Sequence, residues 1–513
     1  MKNKTFTSTA ILKRIWSFFD NREKVRFIAI FSLSCVTAFF EIISIAAVIP
    51  FLGILSNIEM VFSNPYLYPI IQFLGLKSNF DIALSATTLF CLAALVSCIM
   101  RTSLVFFQTR VSFNVGARLS IKIYETTLNQ NYDWFIKRNS GDIIANVSQK
   151  TNAIVHNAIY PSMIMLSSSI IGLTIISGVL IFNPIIALVV FLSISLGYLI
   201  IVIHNRKHLT KLGDTINQET SNVLKSLQEG LGGVRNVILD NSHNFFVSFF
   251  AGGQINLRRA LADQLIISIW PRFILEAFGM IIIALVGFTI WQNSESLIGG
   301  LPTLGVFALA GQRLLPNAQQ FFSGWVALKT GIPSIKDAIE VLEDNVDFRN
   351  VNGTYNLKSL DKSISLKNTS FYYSDPKKEI LKNISITFRK GSKIGIIGET
   401  GSGKSTLVDI ISGMLSPTSG EIYIDGVVLS PKNFKSWRTQ ISYVPQSIFL
   451  ADTSVSENIA FGIPFSSISH ERVKKVSSIA KIDRVINDLP KKFETIVGER
   501  GMRLSGGQRQ RIG

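Results

Sequence analysis

The two halves of the chain differ in how hydrophobic and polar positions alternate. The first half carries six long apolar runs, each long enough for a helix that crosses a bilayer. We place these predicted spans near residues 27–54, 81–107, 157–182, 185–204, 264–291 and 301–327. The second half has short apolar runs separated by polar turns, which is typical of a soluble α/β domain. The pattern therefore predicts an all-α transmembrane domain over residues 1–342 and an α/β domain over residues 343–513.

The connections between the spans differ in charge. Those near residues 56–79, 182–184 and 292–300 hold almost no cations, whereas residues 109–156 and 205–263 are long, polar and basic. Because Lys and Arg favour the cytoplasmic side of a membrane, we expect the basic connections in the cytoplasm. Their periodic apolar residues predict that the membrane helices continue outward as rods.

Each of the two basic connections contains a candidate turn between its rods, at residues 131–135 in the first and at residues 240–246 in the second. Aromatic side chains at these turns suit a docking contact, since they supply large area at low entropy cost. Packing within their own helical hairpins is the alternative. Ahead of the first span, Ile11, Ile15 and Trp16 recur at helical spacing and predict a short helix along the cytoplasmic membrane face.

Composition agrees with a membrane protein. The chain is 47% hydrophobic, with a mean hydropathy of +0.35. Its net charge of +17 is explained by membrane orientation, because the cations cluster beside the spans, and we expect no nucleic-acid partner. The three cysteines, Cys35, Cys91 and Cys98, lie in apolar runs without metal-ligand spacing, so we interpret them as packing residues.

A loop in the second half fits a phosphate-binding pattern at every fixed position. Residues 398–405 match G-x-x-x-x-G-K-[ST], between a predicted strand at 394–397 and a helical run from 407. The glycines let backbone N–H groups close around an anion at a helix start. Lys404 would reach the β- and γ-phosphates of ATP, and the Ser405 hydroxyl would bind Mg²⁺. The predicted nucleotide-binding residues here are Gly398, Gly401, Ser402, Gly403, Lys404, Ser405 and Thr406.

Three arginines lie within or at the ends of the apolar spans: Arg101, Arg272 and Arg313. A charge in that environment is costly and usually faces a water-filled cavity or a partner. A shared role in binding an anionic substrate is one interpretation. An ion pair with Glu276, one turn along the helix, is the alternative for Arg272, and snorkelling to the interface is the alternative for the other two.

Two further motifs follow the phosphate loop. Residues 441–446 read Ile-Ser-Tyr-Val-Pro-Gln, and residues 504–508 read Leu-Ser-Gly-Gly-Gln. With the loop, in this order and spacing, the chain resembles the ATP-binding cassette (ABC) transporters. Six spans with long cytoplasmic extensions ahead of the cassette resemble an exporter-type half-transporter. The resemblance covers nearly the whole chain and implies an ATPase-coupled transmembrane transporter with an α/β P-loop cassette.

The resemblance also assigns roles to single residues. Tyr373 matches the position on which the family stacks adenine, although a tyrosine packed on the sheet is the alternative. Gln446 matches the glutamine loop, which contacts Mg²⁺ or the attacking water and reports the nucleotide state to the membrane helices. The signature residues, which would bind the γ-phosphate held by the opposite cassette, are Ser505, Gly506, Gly507 and Gln508. This implies a dimer with a second copy or a paralogous half-transporter.

The sequence departs from the family pattern in one respect. It stops at Gly513, directly after the signature. The acidic strand that holds Mg²⁺ through water, the catalytic glutamate and the switch histidine therefore have no positions in it. We expect a truncated cassette with apolar sheet surface left uncovered beside the phosphate loop. We also expect poor ATP hydrolysis by the chain alone.

Three stretches resemble the PglK-type flippases of lipid-linked oligosaccharides: residues 41–51, 271–276 and 313–318. Together with residue 101 they include all three membrane arginines, which suit an anionic diphosphate. An external helix near residues 66–74 would contact the lipid tail. The resemblance implies a flippase for a lipid-linked oligosaccharide or a related envelope precursor in a bacterial inner membrane, with membrane lipid as a further partner. A general lipid or multidrug exporter is the alternative, and a non-transporting membrane nucleotide sensor or an inactive fragment is an alternative of another class.

Overall fold

The structure is a computed structural model, and it describes residues 8–56, 78–182, 184–293, 301–343, 356–373 and 375–513. The chain divides into two compact units, Met1–Phe348 and Arg349–Gly513. The domain boundary that we predicted at residue 343 adjoins residues outside this description and stays a prediction. The predicted external helix at residues 66–74 also lies outside the described residues.

The first unit is built from α-helices. In chain order they are α1 (Ser8–Ser17), α2 (Asn21–Ala46), α3 (Val48–Ser56), α4 (Asn79–Leu128), α5 (Tyr132–Ile136), α6 (Ser140–Ala145), α7 (Thr151–Ile154), α8 (Tyr160–Phe182), α9 (Pro184–Gly232), α10 (Val234–Leu239), α11 (His243–Asn293) and α12 (Leu301–Glu343). The helices α4, α9 and α11 contain 50, 49 and 51 residues. At 1.5 Å per residue each is about 75 Å long, more than twice a bilayer's hydrocarbon thickness, which confirms the predicted rods.

Five helical stretches of the described chain are long and apolar enough to cross a membrane. They cover residues 21–55, 79–128, 140–181, 187–232 and 243–285. The helix α12 covers the sixth predicted span and carries Gln312, Arg313 and Asn317, but it is not among these five stretches. The sixth crossing therefore stays a prediction.

Proline shapes the first span. The prediction placed one helix over residues 27–54, whereas the structure has α2 and α3 with a break at Ala47. Pro50 lies in the first turn of α3 and has no N–H group to donate to the carbonyl of Ala46, four residues earlier. The missing hydrogen bond accounts for the break at this point.

The N-terminal helix packs on protein. Ile11 and Ile15 are buried in the cluster that contains Ile335 and Ile339 of α12, and three of these four side chains have 0% exposure. Part of the apolar face of α1 is therefore covered by protein, and its position along the cytoplasmic membrane face stays a prediction. Arg118 of α4 anchors the next helix, because its Nε donates to Glu23 Oε1 at 2.7 Å.

A buried polar network joins three elements of the first unit. Two π-helical turns, Asn146–Lys150 and Val155–Ile159, lie between α6 and α8. Lys150 ends the first of them, and its Nζ lies 2.6 Å from Asp337 Oδ2 of α12. Asn217 of α9 donates to the same oxygen at 3.0 Å. Since the Lys150 side chain is only 8% exposed, this pairing is required to offset the cost of burying its charge.

The second unit contains a four-stranded antiparallel sheet and short helices. Its elements are β1 (Ser363–Phe371), β2 (Leu381–Arg389), α13 (Lys404–Ile411), β3 (Ser419–Ile424), β4 (Val427–Val428), α14 (Phe434–Arg438), α15 (Val455–Ile459), α16 (His470–Ile479), α17 (Asp483–Asp488) and α18 (Gly506–Ile512). The sheet order is β2-β1-β3-β4. One buried cluster, including Leu366, Ile410 and Trp437, joins the sheet to α13 and α14. A separate cluster, including Val455 and Leu504, holds the remaining helices.

The hairpin turn between β3 and β4 also contacts the backbone at the start of β1. Asp425 and Gly426 connect β3 to β4 with φ of 48° and 84°, as a tight hairpin turn requires. The Asp425 carboxylate accepts the backbone N–H groups of Asp361, Lys362 and Ser363 at 2.6 to 2.8 Å. Burial raises the pKa of Asp425, but these backbone hydrogen bonds outweigh it and leave the pKa below its usual range.

The predicted strand at residues 394–397 was wrong. These residues lie in no strand, and Ile394 and Ile397 are 51% and 97% exposed. A parallel strand of an α/β sheet needs hydrogen-bonded neighbours and cover on both faces. The described sheet is antiparallel and does not include this segment. The exposed isoleucines form an apolar surface directly before the phosphate loop.

Candidate functional site

The phosphate loop is preformed. Gly401 and Gly403 have φ of 86° and 88°, a left-handed conformation that side-chain-bearing residues rarely adopt. Gly403 caps α13, whose first residue is Lys404. The Lys404 ammonium donates to the backbone carbonyls of Gly398 and Glu399, both at 2.7 Å. An ammonium has three donors, so one remains for a phosphate.

The hydroxyl side of the loop suits Mg²⁺. Ser405 is exposed, whereas Thr406 is buried. Mg²⁺ usually keeps several waters and takes only one or two protein ligands beside nucleotide phosphates, and a single exposed hydroxyl fits that pattern. Burial raises the pKa of Asp409, further along α13, because its carboxylate loses hydration.

Tyr373 lies beside the loop but is engaged with protein. Its hydroxyl lies 3.1 Å from the Thr406 hydroxyl. Its ring packs edge-on against Phe371, with 4.9 Å between centroids. These contacts match the alternative interpretation of Tyr373 from the sequence, a tyrosine packed on the sheet. The adenine-stacking role stays a prediction.

The signature motif forms a capped helix start. Ser505 caps α18, its Oγ accepting from the backbone N–H of Gln508 at 3.3 Å. Gln508 Oε1 accepts in return from the Ser505 backbone N–H at 2.8 Å. The Ser505 hydroxyl hydrogen remains available to a ligand. Ser505, Gly506 and Gly507 are all exposed, and a Cβ added at either glycine would meet no atom within 4 Å.

The structure brings only part of the predicted nucleotide site together. Tyr373 and the helix α13 that follows the phosphate loop belong to the sheet cluster, whereas the signature helix belongs to the second cluster of the unit. Gln446 is exposed, and no hydrogen bond among the described residues joins it to the loop. Its role at Mg²⁺ therefore stays a prediction.

A buried carboxylate brings together two of the three membrane arginines. Glu41 of α2 has a fully buried side chain, and its Oε1 lies 3.5 Å from Arg101 Nη1 of α4 and 3.4 Å from Arg313 Nη1 of α12. The two arginine side chains are 27% and 31% exposed. Glu41 Oε2 is buried and has no hydrogen-bond partner among the described residues.

Arg272 lies apart from this cluster. Its Nη1 donates to Gln319 Oε1 of α12 at 3.3 Å, and its Nε lies 3.7 Å from Glu276 Oε2. The ion pair with Glu276 is the alternative that we weighed from the sequence. Sequence reasoning missed Glu41 as the acceptor of the other two arginines. A lone acidic residue in an apolar span was the available signal, because such a charge needs a cationic partner.

Two family models match this chain. The ABC transporter transmembrane region matches residues 28–311, more than half of the chain, and the ABC transporter cassette matches residues 381–513. The chain belongs to the ABC transporter family. Members of this family are ATP-hydrolysing transporters, and the cassette of this ABC transporter implies ATP binding.

Relatives with similar sequences include two bacterial proteins. The heterocyst differentiation ATP-binding protein HepA of Nostoc is 26% identical over 431 residues, which cover 82% of this chain and 69% of HepA. The ATP-dependent lipid A-core flippase of Hahella chejuensis is 24% identical over 413 residues, covering 79% of this chain and 69% of the flippase. Both alignments run through the membrane and cassette regions.

A solved structure shares the fold. A bacterial Atm1-family ABC exporter with ATP bound superposes with a TM-score of 0.75, covering 96% of this chain and 83% of the exporter at 19% identity. At this identity the likeness shows the fold alone. This ABC transporter therefore has an exporter fold, with a mostly helical membrane region and a cassette that carries the sheet.

The geometry of the loop predicts the effect of removing its lysine. We expect Lys404→Ala to weaken ATP binding roughly 10- to 100-fold, the cost of losing one charge-assisted hydrogen bond. Titration with a fluorescent ATP analogue would measure it. The control is Lys393→Ala, which removes an exposed lysine outside the loop. Equal affinities for Lys404→Ala and the wild type, with unchanged thermal unfolding, would contradict this role.

Proposed function

We propose that this ABC transporter exports or flips an amphiphile with an anionic head group across a bacterial inner membrane. The cargo class that we favour is a lipid-linked oligosaccharide or a related envelope precursor. The observation that carries the proposal is the cluster of Glu41, Arg101 and Arg313 within the membrane helices. The relationship to a lipid A-core flippase supports lipid transport in general, and the narrower cargo class rests on the arginines.

The charge of the cluster suits an anion. One carboxylate faces two guanidinium groups, which leaves an excess of one positive charge. Glu41 is fully buried and holds the arginines in place, while about 30% of each arginine side chain stays accessible. A guanidinium group binds phosphate oxygens in a bidentate manner, with geometry that an ammonium group cannot match. A phosphate or diphosphate head is therefore the chemistry that this cluster recognises.

The proposed transporter acts as a dimer of cassettes. Within one chain, the helix that follows the phosphate loop and the signature helix belong to different clusters. The exposed Ser505, Gly506 and Gly507 present a hydroxyl and free backbone N–H groups, which suit a γ-phosphate. We infer that they meet ATP bound to the phosphate loop of a second copy or a paralogous half-transporter. Ser405 and Gln446 would then hold Mg²⁺ with the nucleotide phosphates, and the cassette would lie in the cytoplasm.

A general lipid or multidrug exporter is the second candidate. It is favoured by a wholly apolar crevice between four membrane helices, since such a crevice would accept many hydrocarbon groups. The two candidates differ in the charge of the cargo: the first requires an anionic head group, and the second does not. A non-transporting nucleotide sensor would bind ATP and move neither cargo.

The arginine cluster predicts a selective loss of transport. We expect the triple variant Glu41→Gln, Arg101→Gln and Arg313→Gln to lose at least about tenfold of its ATP-driven transport of a fluorescent lipid-linked oligosaccharide, because two phosphate contacts are removed. No unpaired charge is left buried, so the fold should persist. The control is Arg110→Ala, since Arg110 is exposed on the same helix as Arg101 and lies over the Phe106 ring.

Transport would be measured in proteoliposomes with a version of the chain extended by the acidic strand, the catalytic glutamate and the switch histidine, since we expect poor ATP hydrolysis without them. ATP binding would be measured in parallel. Unchanged transport of the anionic lipid by the triple variant would contradict the anionic cargo. Equal loss of transport for a neutral lipid with the same tail would favour the general exporter. Absence of any transport in the wild type, with ATP still bound, would favour the sensor.

The composite nucleotide site predicts cross-linking between two copies. One copy would carry Ser402→Cys and the other Gly506→Cys, at positions that are both exposed. We expect a disulfide between copies that depends on ATP with Mg²⁺ and disappears when the first copy also carries Lys404→Ala. The wild type controls for Cys35, Cys91 and Cys98. Cross-linking that is independent of nucleotide would contradict the sandwiched arrangement.

A further inference from the structure

The exposed face of α9 changes from apolar to cationic along one helical stripe. Leu199 and Ile203 are 53% and 69% exposed, and in a bilayer such a face meets hydrocarbon. Arg206, Lys207 and Lys211 continue the same face at spacings of three or four residues, and all three are exposed. Positive charges therefore follow the apolar face directly, as expected where a helix passes from hydrocarbon to the lipid head groups.

The neighbouring helix α11 shows the same change. Leu265 and Ile266 are 59% and 57% exposed, so they continue the apolar face. Arg258 and Arg259 lie two turns before them in the chain, and both are exposed. Each of the two helices thus presents an apolar face that ends in cations.

Two close contacts fix how these helices align. A Cβ on Gly197 of α9 would lie 2.6 Å from Leu275 Cδ2 of α11, and one on Gly253 of α11 would lie 3.4 Å from Val223 Cγ2 of α9. Residue numbers therefore rise along α9 as they fall along α11, and the cations of both helices lie between the two contacts. We call the five cations the basic belt: Arg206, Lys207, Lys211, Arg258 and Arg259.

The basic belt carries more positive charge than its surroundings balance. Two carboxylates lie in the same stretches, those of Asp214 and Asp263, so the five cations leave an excess of three positive charges. None of the five forms an ion pair with an acidic residue in the part of the chain that the structure describes. Burial lowers the pKa of Lys329 on α12, and the positive charge of Arg206 lowers it further. A surface with this excess attracts anions.

The apolar faces decide which anion suits the belt. A phospholipid covers exposed side chains such as Leu199 and Leu265 with its tails and meets the adjoining cations with its phosphate. A soluble nucleic acid has no hydrocarbon that would cover them. Lys and Arg also lay their methylene stems along apolar surface and keep the charged group at the interface. Clusters of four to eight Lys and Arg directly outside a membrane span are typical of sites for anionic lipids.

We propose that the basic belt binds the head groups of anionic phospholipids in the leaflet on its side of the membrane. The lipid supplies the negative charge that α9 and α11 lack. A zwitterionic head group does not suit the site, because it carries a cation of its own. The lipid is a lasting partner of the helices and not the cargo, since the belt is separate from the cluster of Glu41, Arg101 and Arg313. The inference therefore does not depend on the proposed function.

The test measures the lipid composition around Ile203, one turn before the belt. A bimane fluorophore is attached to Ile203→Cys in a chain whose Cys35, Cys91 and Cys98 are replaced by Ala, and the protein is reconstituted in phosphatidylcholine vesicles. Quenching by brominated phosphatidylglycerol is compared with quenching by brominated phosphatidylcholine. We expect about a tenfold preference for phosphatidylglycerol, and we expect added salt to reduce it.

Variants of the belt separate charge from other causes. We expect Arg258→Gln with Arg259→Gln to reduce the preference at least about threefold, and Gln at all five positions to abolish it. Replacing the three arginines of the belt by Lys should keep the preference, because the charge remains. The matched control is Lys225→Gln with Arg235→Gln, which removes two exposed cations further from the apolar faces, on α9 and α10. Thermal unfolding and oligomeric state are measured for every variant.

Equal quenching by the two lipids in the wild type would overturn the inference, as would an unchanged preference with Gln at all five positions. Loss of the preference in the control would also overturn it, because the net charge of the protein would then be the cause. If the five-residue variant loses its dimers and keeps its lipid preference, the belt is a contact between copies and the inference fails. The measurement needs no ATP, so its result is independent of transport.

Discussion

The buried carboxylate of Glu41 is the constraint on which the membrane region depends. An ionised carboxylate loses its hydration when it is buried, and it is tolerated only with close cationic partners. Arg101 and Arg313 provide them from two other helices, at 3.5 and 3.4 Å. The same contacts hold both guanidinium groups inside the bundle, where either alone would be expelled to the interface. One acidic residue thus fixes three helices and leaves a net positive charge within the membrane region.

The cassette contains a second anion-binding site, the phosphate loop, which is formed by a different set of contacts. Its phosphate loop depends on glycines with positive φ and on a lysine held between two backbone carbonyls. Both features are local, because Lys404 contacts carbonyls only six and five positions before it in the sequence. The loop is therefore formed before any nucleotide arrives. The signature helix is equally local, with its cap made by Ser505 and Gln508. Neither the phosphate loop nor the signature helix contains a contact with the other. We assign that contact to a second copy of the chain.

This difference between local and distant contacts explains what the sequence could predict. The long cytoplasmic rods and the phosphate loop follow from patterns within a few residues, and the structure contains both. The strand expected at residues 394–397 is absent because a strand requires partners elsewhere in the chain. The three arginines were identifiable as charges in apolar spans, and Glu276 as a partner of Arg272, but Glu41 was not identifiable as the partner of the other two. Glu41 lies 60 positions before Arg101 and 272 positions before Arg313 in the sequence. A periodic pattern of residues cannot predict a contact over such a separation.

We propose that the membrane region of this ABC transporter recognises a negative charge on a lipid. The most direct measurement is the affinity of the protein in nanodiscs for three lipids with one tail and different heads: diphosphate, phosphate and hydroxyl. We expect affinity to fall in that order, with about a tenfold step for each lost charge-assisted contact, and we expect added salt to reduce the differences. Equal affinity for the diphosphate and the alcohol would contradict it.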